Sequence, residues 1–134
     1  MGIPTRYREQ LRDNGGGQLI VTLDPSDPCL LLYPRPEWEV IERKLVRLPS
    51  LNRQARKLQR VLMGHASEVE LDGAGRILLG AELRESAFLE KHVMLVGQGN
   101  KFELWSEQNW KERRVQWLAE DDSELAAELE TLAL

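Results

Sequence analysis

Cysteine occurs once in this chain of 134 residues, as Cys29, so no internal disulfide can form and no CxxC redox or metal motif exists. A lone thiol set among apolar residues reads as a small buried side chain. Histidine is nearly as scarce. His65 has no second histidine nearby, and its neighbours Glu68, Glu70 and Asp72 would share one strand face, where acids normally meet solvent, so no metal site is expected. No run of about 18 apolar residues is available to span a bilayer, and the first dozen residues, with Pro4, Arg6, Arg8 and Arg12, lack the apolar stretch of a secretory signal. A soluble, intracellular protein without membrane contact is predicted. A Gly-rich phosphate loop, an HExxH and a GxSxG are also missing, which argues against an enzyme and against a bound cofactor.

What is present suffices for one folded core: 42% of the residues are apolar and 30% charged. The formal net charge of −4 speaks against a nucleic-acid partner only until its distribution is considered. Residues 118–134 hold Glu120, Asp121, Asp122, Glu124, Glu128 and Glu130 and no Lys or Arg, which leaves 18 basic against 22 − 6 = 16 acidic groups in residues 1–117. Within that part, Arg43 to Arg60 carries seven basic residues and no acid. Charge here is regional.

The spacing predicts a short helix over Tyr7 to Arg12, stopped by Asn14 and three glycines. Strands follow at Leu19 to Leu23 and Cys29 to Tyr33, joined by a loop containing Pro25 and Pro28. Pro34 and Pro36 introduce a helix from Glu37 to about Leu48, with Trp38, Ile41 and Leu45 inward. A further helix begins at Asn52 and ends near Gly64, with Ala55, Leu58, Val61 and Leu62 facing inward and Arg53, Arg56, Lys57 and Arg60 outward. Beyond it, Val69 and Leu71 alternate with acids, and an Asp-Gly turn leads to Ile77-Leu78-Leu79, the pattern of a hairpin. A helix from Glu82 to Phe88, strands at Val93 to Val96 and Lys101 to Trp105, a helix from Glu107 through Trp117 and a short terminal helix within Asp122 to Leu134 complete the chain.

This order repeats. An offset of 76 lays Arg84 on Arg8 and Gly80 on Pro4, and an offset of 72 lays Trp105 on Tyr33 and Trp110 on Trp38. Equivalent arginines at 8 and 84 point to a shared structural role, and equivalent tryptophans on helix faces to core packing rather than base stacking. The turn Asp72-Gly73-Ala74-Gly75-Arg76 has no counterpart in the first copy, because the same offset places it ahead of Met1.

With His65-Ala66-Ser67, Glu70 to Arg76, Met94 to Trp105 and Pro4 to Glu9, the chain resembles the MraZ family along nearly its whole length. That resemblance implies an α+β fold of two tandem AbrB/SpoVT-type swapped-hairpin units around a compact, pseudo-two-fold, β-barrel-like core. The expected division is 1–64 for a first unit ending in the basic linking helix, 65–118 for the second, and 119–134 for an acidic tail. It further implies a cytoplasmic, nucleoid-associated transcriptional regulator of the division and cell wall gene cluster. Such a protein assembles as a ring-like homo-oligomer and binds short G-rich repeats in double-stranded promoter DNA through turns of the pattern Asp-x-Lys/x-Gly-Arg. Carried onto this sequence, the DNA-binding residues are Asp72, Gly73, Gly75 and Arg76. The family's N-terminal strand and first turn would precede Ile3, and their lack is expected to expose a sheet edge and lower stability. The rival expectation is an oligomeric protein-interaction scaffold whose DNA binding is impaired for want of that turn.

The turn has the chemistry such a role needs. An aspartate can accept from backbone N–H groups two residues on, glycine supplies positive φ, and the arginine that follows is thrown outward. Its guanidinium fits the O6 and N7 edge of guanine, or a phosphate. The outward basic residues Arg53, Arg56, Lys57 and Arg60 are candidate phosphate contacts, although a charged face opposite an apolar one is also what any surface helix presents.

Overall fold

Pro4 opens the first helix, α1 (Thr5–Asp13), which starts two residues earlier than its apolar spacing indicates. The computed structural model describes residues 1–120 and 123–133. Gly15, Gly16 and Gly17, all at positive φ, turn the chain into the hairpin of β1 (Gln18–Leu23) and β2 (Cys29–Pro34). Pro34 caps α2 (Arg35–Val46), whose Pro36 sits in the first turn, where a missing N–H is harmless. Asn52 starts α3 (Arg53–Leu58) by accepting from the N–H groups of Gln54 and Ala55 at 2.9 and 3.1 Å. This helix does not run on regularly to Gly64. It widens into a π-helical turn over Gln59–Met63, where the buried hydroxyl of Thr22 donates to the Leu62 carbonyl at 2.6 Å.

The second half repeats the plan with α4 (Ala81–Ser86), the hairpin of β4 (Val93–Gly97) and β5 (Phe102–Ser106), and α5 (Glu107–Ala119). A terminal helix, α6, covers Ser123–Leu132. The ends of the expected terminal helix, Asp122 and Leu134, lie outside the described residues, as does Asp121.

One antiparallel sheet joins the halves in the order β3-β1-β2-β5-β4, where β3 is Ser67–Glu70. Its middle is the pairing of β2 with β5, in which Leu31 faces Glu103. An offset of 72 makes Glu103 the counterpart of Leu31, so the internal two-fold passes through this pair and each repeat donates one hairpin to a common sheet. The α+β class and the repeated hairpin-helix plan stand as expected. Barrel closure does not: β3 and β4 end the sheet without pairing, and among the described residues the outer edge of β4 carries no strand.

A second correction concerns the turn. β3 pairs with β1, Val69 opposite Leu19, rather than folding back on Ile77 to Leu79 as a hairpin. Residues 1–3 instead run antiparallel to the turn's exit. Ile3 N–H donates to the Gly75 carbonyl at 2.8 Å, Ile77 N–H to the Met1 carbonyl at 2.8 Å, and Gly2 bridges Arg76.

Alternation along the strands builds two cores. Leu19, Val21, Leu30, Leu32, Phe102 and Leu104 point to one face, where Ile3, Leu11, Ile77, Leu79 and Leu83 cover them. Ile20, Leu31 and Tyr33 point to the other, under Trp38, Leu45 and Leu62. Each fully buried leucine contributes on the order of 1.5–3 kcal/mol, so the central strands rather than the turns hold the frame together.

Candidate nucleic-acid interface

Asp72 organises the 72–76 turn from its centre. Its backbone N–H donates to the Arg76 carbonyl at 2.9 Å and its own carbonyl accepts from Gly75 N–H at 3.0 Å. The carboxylate Oδ1 accepts from Ala74 N–H at 2.9 Å and from Arg76 N–H at 2.8 Å. Four bonds within five residues leave the tip little freedom. Gly75 has φ +76 and is buried, and the space a Cβ would need is filled by the side chain of Arg8. Gly73 differs: its φ is ordinary and nothing stands within 4 Å of where its Cβ would lie. Of the two glycines that bracket the turn, only Gly75 is demanded by conformation and space.

Arg76 is the group this scaffold presents. It is exposed, and among the described residues its guanidinium makes no ion pair or hydrogen bond. Beside it a cleft of about 620 Å³ has Arg6, Arg84 and Lys91 on its walls and the apolar side chains of Leu79, Leu89 and Val93 at its base. Among the described residues, four cations against one acid, Glu90, line this part of the surface and make it electropositive despite the chain's negative net charge. Asp72, Gly73, Gly75 and Arg76 are thus gathered in one turn. Arg53, Arg56, Lys57 and Arg60 are also exposed, but their helix packs on the opposite face of the sheet, and the structure does not group them with Arg76.

Arg8 has the structural role expected of it, donating from Nε to the Ile3 carbonyl at 2.7 Å while covering Gly75. Its counterpart Arg84 makes no such contact among the described residues and stands in the cleft wall. Trp38 is buried against Tyr33 and donates to Glu42 at 3.2 Å, and Trp110 stacks edge-on with Trp105 and Trp117. Trp38 belongs to the core, whereas Trp110 is half-buried and covers Trp105 from outside it. His65 and Glu68 do not converge: His65 Nδ1 lies 2.8 Å from the Val61 carbonyl, and Glu68 pairs with Arg35 at 3.1 Å.

One cluster is not visible in the sequence, because its members come from the β1–β2 loop, β2 and β5. Ligating atoms of Asp24, Cys29 and Glu103 lie within 4.8 Å of one another. The acids already have structural work. Asp24 Oδ1 accepts from the N–H groups of Ser26 and Asp27, closing the β1–β2 loop, and Glu103 accepts from the Trp105 indole at 3.0 Å. Burial first, then the negative charges of Asp24, Glu103 and Asp27, push the Cys29 thiol far above its ordinary range. The expected result is a native thiol that reacts with a disulfide reagent near pH 8 at least about 100-fold more slowly than in denaturant. Comparable rates in the two states would contradict the burial.

A sequence model of the family described as "MraZ protein, putative antitoxin-like" matches the chain twice, over residues 1–61 and 62–132. Among curated proteins, the transcriptional regulator MraZ of Halorhodospira halophila is 52% identical over 137 aligned positions, covering 100% of this chain and 90% of the relative. That of Thioalkalivibrio sulfidiphilus is 54% identical with the same coverage. The protein of the same name from Escherichia coli O9:H4 is 58% identical over 113 positions, 84% of this chain and 74% of the relative.

Proposed function

The chain belongs to the MraZ family, and from that premise we propose that it is a transcriptional regulator reading double-stranded promoter DNA with the tip of its 72–76 turn. The observation that carries this is an exposed Arg76, without a partner among the described residues, on a turn fixed by four internal hydrogen bonds and flanked by Arg6, Arg84 and Lys91. A planar guanidinium held out in this way suits the O6 and N7 edge of guanine, so the target we assign is a short G-rich repeat. The neighbouring cations would meet the phosphates on either side, and Arg53, Arg56, Lys57 and Arg60 are a second, more distant phosphate-contacting group. The division of the chain into units 1–64 and 65–118 with an acidic tail 119–134 belongs to the same reading. So do placement on the nucleoid and control of the division and cell wall cluster.

One arginine supplies about 1–3 kcal/mol of discrimination, too little for a regulator acting alone. A homo-oligomer, in the form of a ring, would present several identical tips to repeated sites and turn weak contacts into avidity. Apolar residues left exposed on α5 and α6, among them Val115, Leu118, Leu125 and Leu132, favour contact between copies.

Titration of the protein against duplexes with one G-rich repeat, two repeats in register, and a shuffled sequence tests both parts. Two repeats should bind at least about 100-fold more tightly than one, through effective concentration. An assembled protein that binds all three alike would leave the scaffold reading in its place.

A further inference from the structure

The tip that presents Arg76 is held from outside its own repeat. Helix α1 belongs to the first half of the chain and the turn to the second, yet two arginines one helical turn apart on α1 reach across to it. Arg12 Nη2 donates to the carbonyl of Asp72 at 3.1 Å, the same oxygen that accepts from Gly75 N–H. Arg8 lies over the Cα of Gly75, and its Nε holds the Ile3 carbonyl, while the N–H of that same Ile3 holds the carbonyl of Gly75. Asp72 is therefore fastened to α1 at its carbonyl, while Gly75 is fastened at its carbonyl to Ile3, which Arg8 of α1 holds in turn. The internal bonds of the turn set its shape. These external ones set its direction relative to the sheet.

We propose that Arg8 and Arg12 are positioning residues for Arg76, aiming the tip rather than touching DNA themselves; the inference rests on the reading of Arg76 as the DNA contact. The geometry separates aiming from folding. Arg12 is exposed, and the carbonyl it caps keeps its bond from Gly75 and is open to water, so removing the guanidinium leaves no buried polar atom without a partner. Stability should hardly change. What is lost is restraint, and a site held loosely pays for ordering at the moment of binding. Arg8 is half-buried and packs on Gly75, so its loss is expected to affect melting as well, which makes Arg12 the cleaner probe.

The experiment compares the parent, Arg12→Gln, Arg8→Lys and Arg76→Ala for affinity to a duplex of G-rich repeats across a salt series, melting temperature, and hydrogen exchange of the Gly75 and Arg76 amides. Arg12→Gln should weaken binding about 5- to 10-fold, raise exchange at both amides by a similar factor, and shift melting by less than about 2 °C. Its slope of log affinity against log salt should match the parent's. A slope reduced by about one would mean that Arg12 meets a phosphate directly, and the positioning role would fall. Unchanged affinity and exchange in Arg12→Gln, with Arg76→Ala weakened, would overturn this inference alone, whereas unchanged binding in Arg76→Ala would remove the reading beneath it. Arg8→Lys keeps the charge but cannot cover Gly75 with a planar group, so it should loosen the same two amides with the salt slope intact.

Discussion

Replacement of Arg76 by alanine is expected to weaken binding to a G-rich duplex by about 5- to 150-fold per contacting tip, the effect of losing one bidentate guanine contact worth roughly 1–3 kcal/mol. The fold should be unaffected. Arg76 is exposed and its guanidinium has no partner among the described residues, and substitutions of that kind change stability by no more than about 0.5 kcal/mol. Arg76→Lys sharpens the test, because lysine keeps the charge and loses the planar fork. If the contact is to guanine, lysine should retain most of the affinity for a shuffled duplex while losing preference for the G-rich one. A phosphate contact would give the opposite pattern, with lysine nearly equivalent to arginine on both. In an assembled protein the loss multiplies with each tip engaged, so a two-repeat duplex should respond more steeply than a single repeat. Equal preference for the G-rich site in the parent and Arg76→Ala would end the assignment.

Much of the frame could be read from local sequence because the rules that govern it are local. Asn52 caps the helix that was expected to begin there, and three glycines at positive φ stop α1. The helix following β2 begins at Arg35 rather than Glu37, since Pro34 sits at its N-cap and Pro36 suits its first turn. Partner choice among strands was not legible. Alternating Val69 and Leu71 fixes which side of a strand is buried, but a period of two carries no information about which strand lies alongside. Hence β3 was expected to return on Ile77 and lies against Leu19 instead. The π-helical turn after α3 was hidden for the same reason, as the hydroxyl that meets it belongs to Thr22, forty residues away in the chain.

The candidate site divides along the same line. Asp72 accepting from N–H groups within its own turn is short-range chemistry, and its residue types announce it. Positive φ at Gly75 belongs to the turn itself, but the lack of room there for any Cβ depends on where Arg8 lies, and nothing within five residues of the turn carries that information. Equivalent arginines at 8 and 84 were legible as a pair through the repeat, yet only Arg8 fastens a turn while Arg84 lines the cleft. Duplication in sequence predicts equivalent positions, and the neighbours decide whether those positions do equivalent work.

The largest loss of stability is expected from Trp105→Ala. Trp105 is fully buried, meets the edges of Trp110 and Trp117 at ring-centroid distances of 5.9 and 5.6 Å, and donates its indole N–H to Glu103 at 3.0 Å. Truncation in such a place costs about 3–5 kcal/mol, a large share of the roughly 5–15 kcal/mol that keeps a domain folded. Melting should fall by about 10–20 °C. The damage has a direction, because α5 buries none of its own residues and is attached to the sheet largely through this aromatic triad. Amides of α5 should therefore exchange first, whereas the 72–76 turn, tied to α1 and the opposite core, should keep its protection below the melting point. Trp105→Tyr is expected to be much milder, since Tyr33 occupies the equivalent position in the first repeat and packs on Trp38 at 5.6 Å in the same manner. A melting temperature for Trp105→Ala within about 3 °C of the parent would show that α5 is held by other means.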